Sequence, residues 1–139
     1  MQYFRKMGID FGKVRIGIAL TDPLGIIASP FETYQRVSFS DDINYLAKLI
    51  KLQNVDTVIF GLPLQMDGQE GDMAKATREF AGELEKVASV KIVFEDERLS
   101  SVTAEEILIE AGVKREKRKL LIDKIAAQVI LQQYIERRR

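Results

Sequence analysis

The sequence predicts an α/β domain: one mixed five-stranded sheet with helices on both faces. Three observations point there. The first stretch of the chain alternates loosely in Ile, Val and Gly and carries a Gly-Lys break, the pattern of an antiparallel hairpin. Two later apolar runs, VDTVIFGLPL and VKIVFE, are continuous rather than alternating, as in strands buried on both sides. Segments with helical spacing separate and follow those runs, so the later strands are expected to be parallel.

Residues 5–21 hold the first two strands, divided at Gly12-Lys13. The third is expected over Ile26–Gln35, with Pro30 favouring a sheet edge, where its missing N–H costs no ladder bond. Ser40 is placed to cap a helix whose apolar residues Ile43, Leu46, Ala47, Leu49 and Ile50 recur at helical spacing. A buried strand follows, then the turn-rich loop MDGQEG, an amphipathic helix over Met73–Val87 and the second buried strand. Thr103 and Glu106 have the spacing of a capping box, for a short helix that stops at Gly112. A basic connector leads into a last helix over about Lys119–Arg137. No linker, low-complexity tract or internal repeat divides the chain, so residues 1–139 are expected to form one domain.

Composition narrows the chemistry. Apolar residues make up 46% of the chain, enough for a packed core and too many for disorder. No apolar run approaches membrane-spanning length and no charged-then-apolar leader is visible, so a cytoplasmic location without a membrane partner is expected. Cysteine is absent, which excludes disulfides, thiolate nucleophiles and cysteine–zinc sites. Histidine is absent too, removing the commonest general base and transition-metal ligand. Catalysis is left to carboxylates, hydroxyls, Lys, Arg, backbone groups or a hard metal ion.

Three acids stand where apolar residues are expected. Asp10 lies inside the strand MGIDFG, where taken alone it also reads as a turn cap. Glu95, Asp96 and Glu97 end the last strand, and ligand sites of parallel sheets gather beyond such carboxyl ends. Alternation puts Glu95 and Glu97 on one face and Asp96 on the other, and the residues alone do not choose among them. Asp123 flanks the apolar stripe of the last helix, while Lys124 points to its solvated side. The adjacent Ala126-Ala127 pair would let that helix approach the sheet closely. Buried carboxylates are costly unless neutralised, and a cluster drawn from two strands and a helix suggests a site for Mg²⁺ or Mn²⁺. Two such ions about 4 Å apart activate water and stabilise the leaving oxygen in phosphodiester hydrolysis.

The cations are placed to suit a polyanion. The net charge is zero, but from Val113 onward nine Lys/Arg face three acids, a local +6 that leaves −6 on the rest. Lys114, Arg115, Lys117 and Arg118 form the densest part, and a solvated helix face is the plain alternative. Lys13 and Arg15 in the hairpin and Arg98 after the acidic triplet are further candidates for holding phosphates.

The runs GIDFGKVRIGIALTD, VIFGLPLQMDGQEGDMAKATREFAGEL and FEDERLSSVTAEEILIEAGVKREKRKLLIDKIAAQVIL resemble the YqgF family over nearly the whole chain. The resemblance implies an RNase H-like fold and nuclease activity. Family members are described as Holliday-junction resolvase-like, and bacterial ones are assigned to maturation of the 5′ end of the small-subunit ribosomal RNA precursor. The family's acids fall on Asp10, Glu97 and Asp123, with Asp96 of the DER run as second choice. Arg15 and Arg98 also match, as do Gly61, Pro63, Asp67, Gly68 and Gly71, the loop residues expected to meet substrate.

The expectation is a metal-dependent endonuclease acting on structured RNA, with ribosome precursor particles as partners. A resolvase of branched DNA is the first alternative and would be expected to work as a dimer. A non-catalytic nucleic-acid-binding assembly factor is the second. An actin-like or sugar-kinase ATPase, which also carries Asp-x-Gly after a strand, needs a second lobe that this length does not provide.

Overall fold

The computed structural model describes residues 3–97 and 100–138. Its elements run β1 (Arg5–Phe11), β2 (Arg15–Thr21), β3 (Ala28–Gln35), α1 (Phe39–Leu52), β4 (Val55–Leu62), α2 (Asp72–Val87), β5 (Lys91–Asp96), α3 (Ser100–Glu110) and α4 (Arg115–Arg137). The five strands form one sheet in the order β3-β2-β1-β4-β5. β1 pairs antiparallel with β2, and β2 with β3. β1 and β4 pair in parallel, as do β4 and β5. β3 is an edge strand, as Pro30 suggested.

Period-two alternation divides the strand residues between two faces. Met7, Ile9, Phe11, Ile16, Ile18, Val58 and Phe60 pack with Leu46, Phe80 and Leu84 of α1 and α2. The other face presents Ala19 and Ile59 to Ala127, Ile130 and Leu131 of α4. Helices therefore cover both faces, and β4, paired on both edges, is buried almost throughout.

Several boundaries differ from expectation, among them the start of β3, at Ala28 rather than Ile26. Ser38, not Ser40, caps α1: its Oγ accepts the Asp41 N–H at 3.1 Å. α3 begins at Ser100, so Thr103 sits inside the helix rather than at its cap. α3 does stop where expected, with Gly112 at φ +77° and the Val113 and Gly112 amides donating to Leu108 and Ile109, a closure that needs a left-handed residue. The largest difference is α4, which starts at Arg115 and absorbs the basic connector. Arg-Glu-Lys-Arg-Lys are strong helix formers, and Lys114 at the cap makes no side-chain bond that would mark the start.

Candidate active site

The site begins with the missing bulk on one face of the sheet. A Cβ on Gly8 would lie 2.7 Å from the Ala127 carbonyl oxygen and 2.8 Å from Leu131 Cβ. A Cβ on Gly17 would collide with the Asp123 carbonyl and sit 3.0 Å from the Lys124 nitrogen. With Ala126 and Ala127 supplying the small side of the helix, α4 rests its backbone directly on β1 and β2. Gly17 is the register partner of Asp10, so this contact sets Asp123 above Asp10. Gly8 and Gly17 escaped the sequence reading; their alternation onto the same face as Asp10 was the available signal.

Asp10, Glu97 and Asp123 are all half-buried. Asp10 and Glu97 are hydrogen-bonded to each other, and Asp123 is near enough for its charge to act on Asp10. The Asp10 carboxyl is pushed from 3.8 to about 6, mainly by burial and further by the Asp123 charge, while the bond to Glu97 opposes the rise. Glu97 is anchored past the strand end, its N–H donating to the Leu62 carbonyl at 3.2 Å. Alternation sends Asp96 to the opposite face and Glu95 to the α4 face, where Glu95 is buried and pairs with Arg137 at 3.4 Å. Of the three acids of that run, Glu97 is the one that meets Asp10.

Asp123 has a partner of its own. Arg15 Nε donates to Asp123 Oδ2 at 2.7 Å, a contact that holds the guanidinium pKa above its ordinary value. Among the described residues, no group of three or more acidic side chains converges tightly enough to hold an ion in this arrangement. The donor chemistry nonetheless suits a hard divalent cation, because the acids present oxygen alone. The site lies at the carboxyl ends of β1, β4 and β5, the end at which ligands of such sheets bind.

The remaining sequence-chosen residues separate into groups. Lys13 is exposed on the hairpin beside Arg15. Lys114, Arg115 and Lys117 are exposed at the start of α4, but Arg118 folds back to donate to the Val113 carbonyl at 3.1 Å. Arg98 lies outside the described residues. Gly61 is inside β4, and Pro63 begins the loop beyond it. Asp67 Oδ1 accepts the Gln69 N–H at 2.9 Å, Gly68 turns at φ +87°, and Gly71 precedes α2. That loop is a compact exposed turn at the carboxyl end of β4. None of the described helices is long and apolar enough to cross a membrane.

Comparison with known proteins places the chain in a family. A family model described as "RuvX: Holliday junction resolvase" matches residues 4–137. A protein of Syntrophomonas wolfei called "Putative pre-16S rRNA nuclease" is 46% identical over 132 residues, covering 95% of this chain and 94% of its own. One of the same name from Endomicrobium trichonymphae is 44% identical over 133 residues, covering 95% of both. Among solved structures, T. thermophilus RuvC in complex with a Holliday junction substrate gives a TM-score of 0.59 at 15% identity, covering 98% of this chain and 96% of that one. Fowlpox virus resolvase with Holliday junction DNA gives 0.62 at 12% identity, covering 96% and 98%. At these identities the two solved structures speak for the fold, which is RNase H-like.

Proposed function

The chain belongs to the RuvX Holliday junction resolvase family, the group to which the YqgF resemblance pointed, and is a nuclease; from that premise we propose that it is a Mg²⁺- or Mn²⁺-dependent endonuclease of structured RNA. Its substrate on this reading is the 5′ end of the small-subunit ribosomal RNA precursor, met in the cytoplasm on ribosome precursor particles, and residues 1–139 act as one domain. The observation that carries the proposal is the contact of Asp10 with Glu97 beneath Asp123, at the carboxyl ends of the parallel strands. The names of relatives at 44–46% identity favour RNA over DNA.

Asp10, Glu97 and Asp123 would hold the cation. A divalent ion there supplies the Lewis acid that polarises the phosphodiester and lowers the pKa of water. The chain does the rest. Asp10, raised to about 6, accepts a positive charge readily because burial and the Asp123 charge penalise its bare charge. Arg15 and Lys13 are placed to hold a phosphate oxygen beside the acids. Lys114, Arg115 and Lys117 begin the helix eight residues before Asp123, roughly 12 Å away along its axis, within reach of a neighbouring phosphate.

The test is cleavage of precursor small-subunit ribosomal RNA and of four-way DNA junctions by the purified protein, with and without Mg²⁺ or Mn²⁺, beside Asp10→Asn. Metal-dependent RNA cleavage that is lost in Asp10→Asn is expected. Junction cutting alone would move the assignment to a DNA resolvase. Binding without cleavage of either substrate would leave a nucleic-acid-binding assembly factor.

A further inference from the structure

We infer that Gly61 is a positioning residue: it forms the vacant seat through which Glu97 of the β5 end reaches across β4 to Asp10. The inference rests on the reading of Asp10, Glu97 and Asp123 as the acids of the site. Asp10 is on β1 and Glu97 follows β5, with β4 between them. Neighbouring strands are about 4.8 Å apart, so the two main chains are separated by roughly twice that. Yet the two side chains are hydrogen-bonded. The Glu97 side chain must therefore pass over β4.

It passes over Gly61. Extending the Ile9–Phe60 register by one residue places Gly61 beside Asp10, and Gly61 itself pairs with Glu95. A Cβ built on Gly61 would lie 2.5 Å from Glu97 Oε2 and 2.8 Å from its Cδ, so it would occupy the space the carboxyl fills. The same Cβ would collide with Ile130 Cδ1 of α4, which closes the slot from above. A glycine inside a buried strand weakens that strand and is expected where another group approaches closely. Here the approaching group is the acid of the site.

The seat also separates Glu97 from Glu95. Both face α4, but Glu95 is held at Arg137 and buried, whereas Glu97 follows the last strand residue and has the open slot beside it. An aspartate at position 97 would be one methylene shorter for the same crossing. Gly61, which the family resemblance placed among the substrate-loop residues, thus acts on the chemistry through Glu97.

Gly61 also makes room for Ile130, and the experiment must separate the two roles. Ile130→Val removes the clashing Cδ1, so the working variant is Gly61→Ala with Ile130→Val. Thermal melts in EDTA, Mg²⁺-induced melting shifts and cleavage kinetics are compared with Ile130→Val alone. The expected result is a folded protein that loses most of its Mg²⁺-induced shift. Its kcat should fall about a hundredfold with KM little changed, as for a displaced catalytic group. In EDTA, the remaining cost of Gly61→Ala should disappear when Glu97→Ala empties the slot. If Gly61→Ala with Ile130→Val does not fold, folding restored by the added Glu97→Ala supports the seat through the same coupling. A full Mg²⁺ shift and unchanged kcat in Gly61→Ala/Ile130→Val would overturn it, leaving the glycine a packing requirement of Ile130. Asp10→Asn is the control: an unaltered Mg²⁺ shift there overturns the acid site itself, and the metal-free coupling of positions 61 and 97 then judges the seat separately.

Discussion

The two faces of this sheet are built on opposite plans. Under α1 and α2 the face is filled with large side chains: Phe11, Phe60 and Phe80 meet, with ring centroids 4.5 Å apart for Phe11–Phe80. Its buried charge is fully answered, since Asp42 is 0% exposed and accepts from Tyr34, Arg36 and the Val37 amide. Under α4 the face keeps Ile59 but is otherwise small around the site, at Gly8, Gly17, Ala19 and Gly61, and its acids lean on one another. The first plan gains burial and dispersion. The second gives these up so that a helix backbone can lie on the sheet and carry Asp123 to Asp10. Stability and chemistry are thus divided by the sheet itself, and substitutions on the two faces should fail in different ways.

The sharpest contrast sets Asp10→Asn against Phe80→Ala. Asp10→Asn keeps shape and removes a ligand charge, so cleavage should fall by orders of magnitude while the fold survives. Phe80 is fully buried, and Phe80→Ala should cost about 3–5 kcal/mol of stability while the folded fraction still cuts. Denaturation curves beside cleavage rates per folded molecule test both. Wild-type cutting by Asp10→Asn would return Asp10 to the role of a turn cap.

A second contrast uses two glycines. At Gly17 the added methyl meets the backbone of Asp123, which no rotamer change can move, and Gly17→Ala should cost about 3 kcal/mol and impair cleavage together. At Gly82, exposed within α2, a Cβ meets nothing within 4 Å. Gly82→Ala should therefore stabilise the protein by about 0.5–1 kcal/mol through helix propensity. Equal effects at the two positions would show that α4 is not seated on β2 as described.

The third concerns pH in the metal-free protein. Asp10 rises from 3.8 to about 6 on folding, so between those values the folded state holds a proton that the unfolded chain has released. The folded state then binds more protons, and stability must fall as pH rises through that window, flattening above it. The contribution is about 1–3 kcal/mol, since Asp10 keeps some contact with water. In Asp10→Asn this slope should vanish and stability above pH 6 should increase. Asp22 and Glu70, whose pKa values are lowered, act with the opposite sign at lower pH, so the difference between variant and wild type isolates Asp10. Melts in EDTA from pH 4 to 8 measure it, and a slope unchanged in Asp10→Asn would assign it to another group.

The same division explains what could be read from sequence. The strands were legible, and in β4 burial on two faces writes itself as unbroken apolar residues; β5, read the same way, is instead a sheet edge whose apolar residues are only half-buried, because β4 alone pairs with it. Asp10 and Asp123 could be singled out because a charge interrupting an apolar run is conspicuous, although Asp10 taken alone read equally as a turn cap; that the two lie close together needed the fold. Glu97 needed the fold: Glu95 has the same parity, and what distinguishes the two is Arg137, forty residues away, and the glycine on the neighbouring strand. The start of α4 was not legible, since no side chain caps it. Ser38 and Ser40 are equally good caps locally. The Asp42 cluster, which fixes the chain just upstream through the Val37 amide, accompanies the choice of Ser38.

The smallest expected effects lie at the exposed cations. Replacing Lys114, Arg115 and Lys117 with Gln should flatten the log–log salt dependence of single-strand binding by roughly 0.7 for each phosphate no longer neutralised. An unchanged slope would mark them as a solvated face. Arg118 is left out of this set because its guanidinium is engaged at the end of α3.

Arg15 provides the finest test, because its contact with Asp123 works against metal and for substrate. Its side chain is 49% exposed, so the 2.7 Å pair stabilises the fold by no more than about 1 kcal/mol. A cation that takes Asp123 Oδ2 competes with this guanidinium, and a competitor of that strength weakens ion binding by at most about fivefold. Arg15→Gln should accordingly tighten Mg²⁺ binding in the free protein, read as a melting shift that develops at lower Mg²⁺. It should at the same time weaken nucleic-acid binding, because the displaced guanidinium is the group placed to take a phosphate. The wild-type protein should then show positive coupling, Mg²⁺ improving nucleic-acid affinity by releasing Arg15, and Arg15→Gln should lose that coupling. A variant that binds Mg²⁺ more weakly would reverse the assignment: Arg15 would then be holding Asp123 in a metal-ready position, and the pair on this face would be as structural as Arg36–Asp42 is on the other.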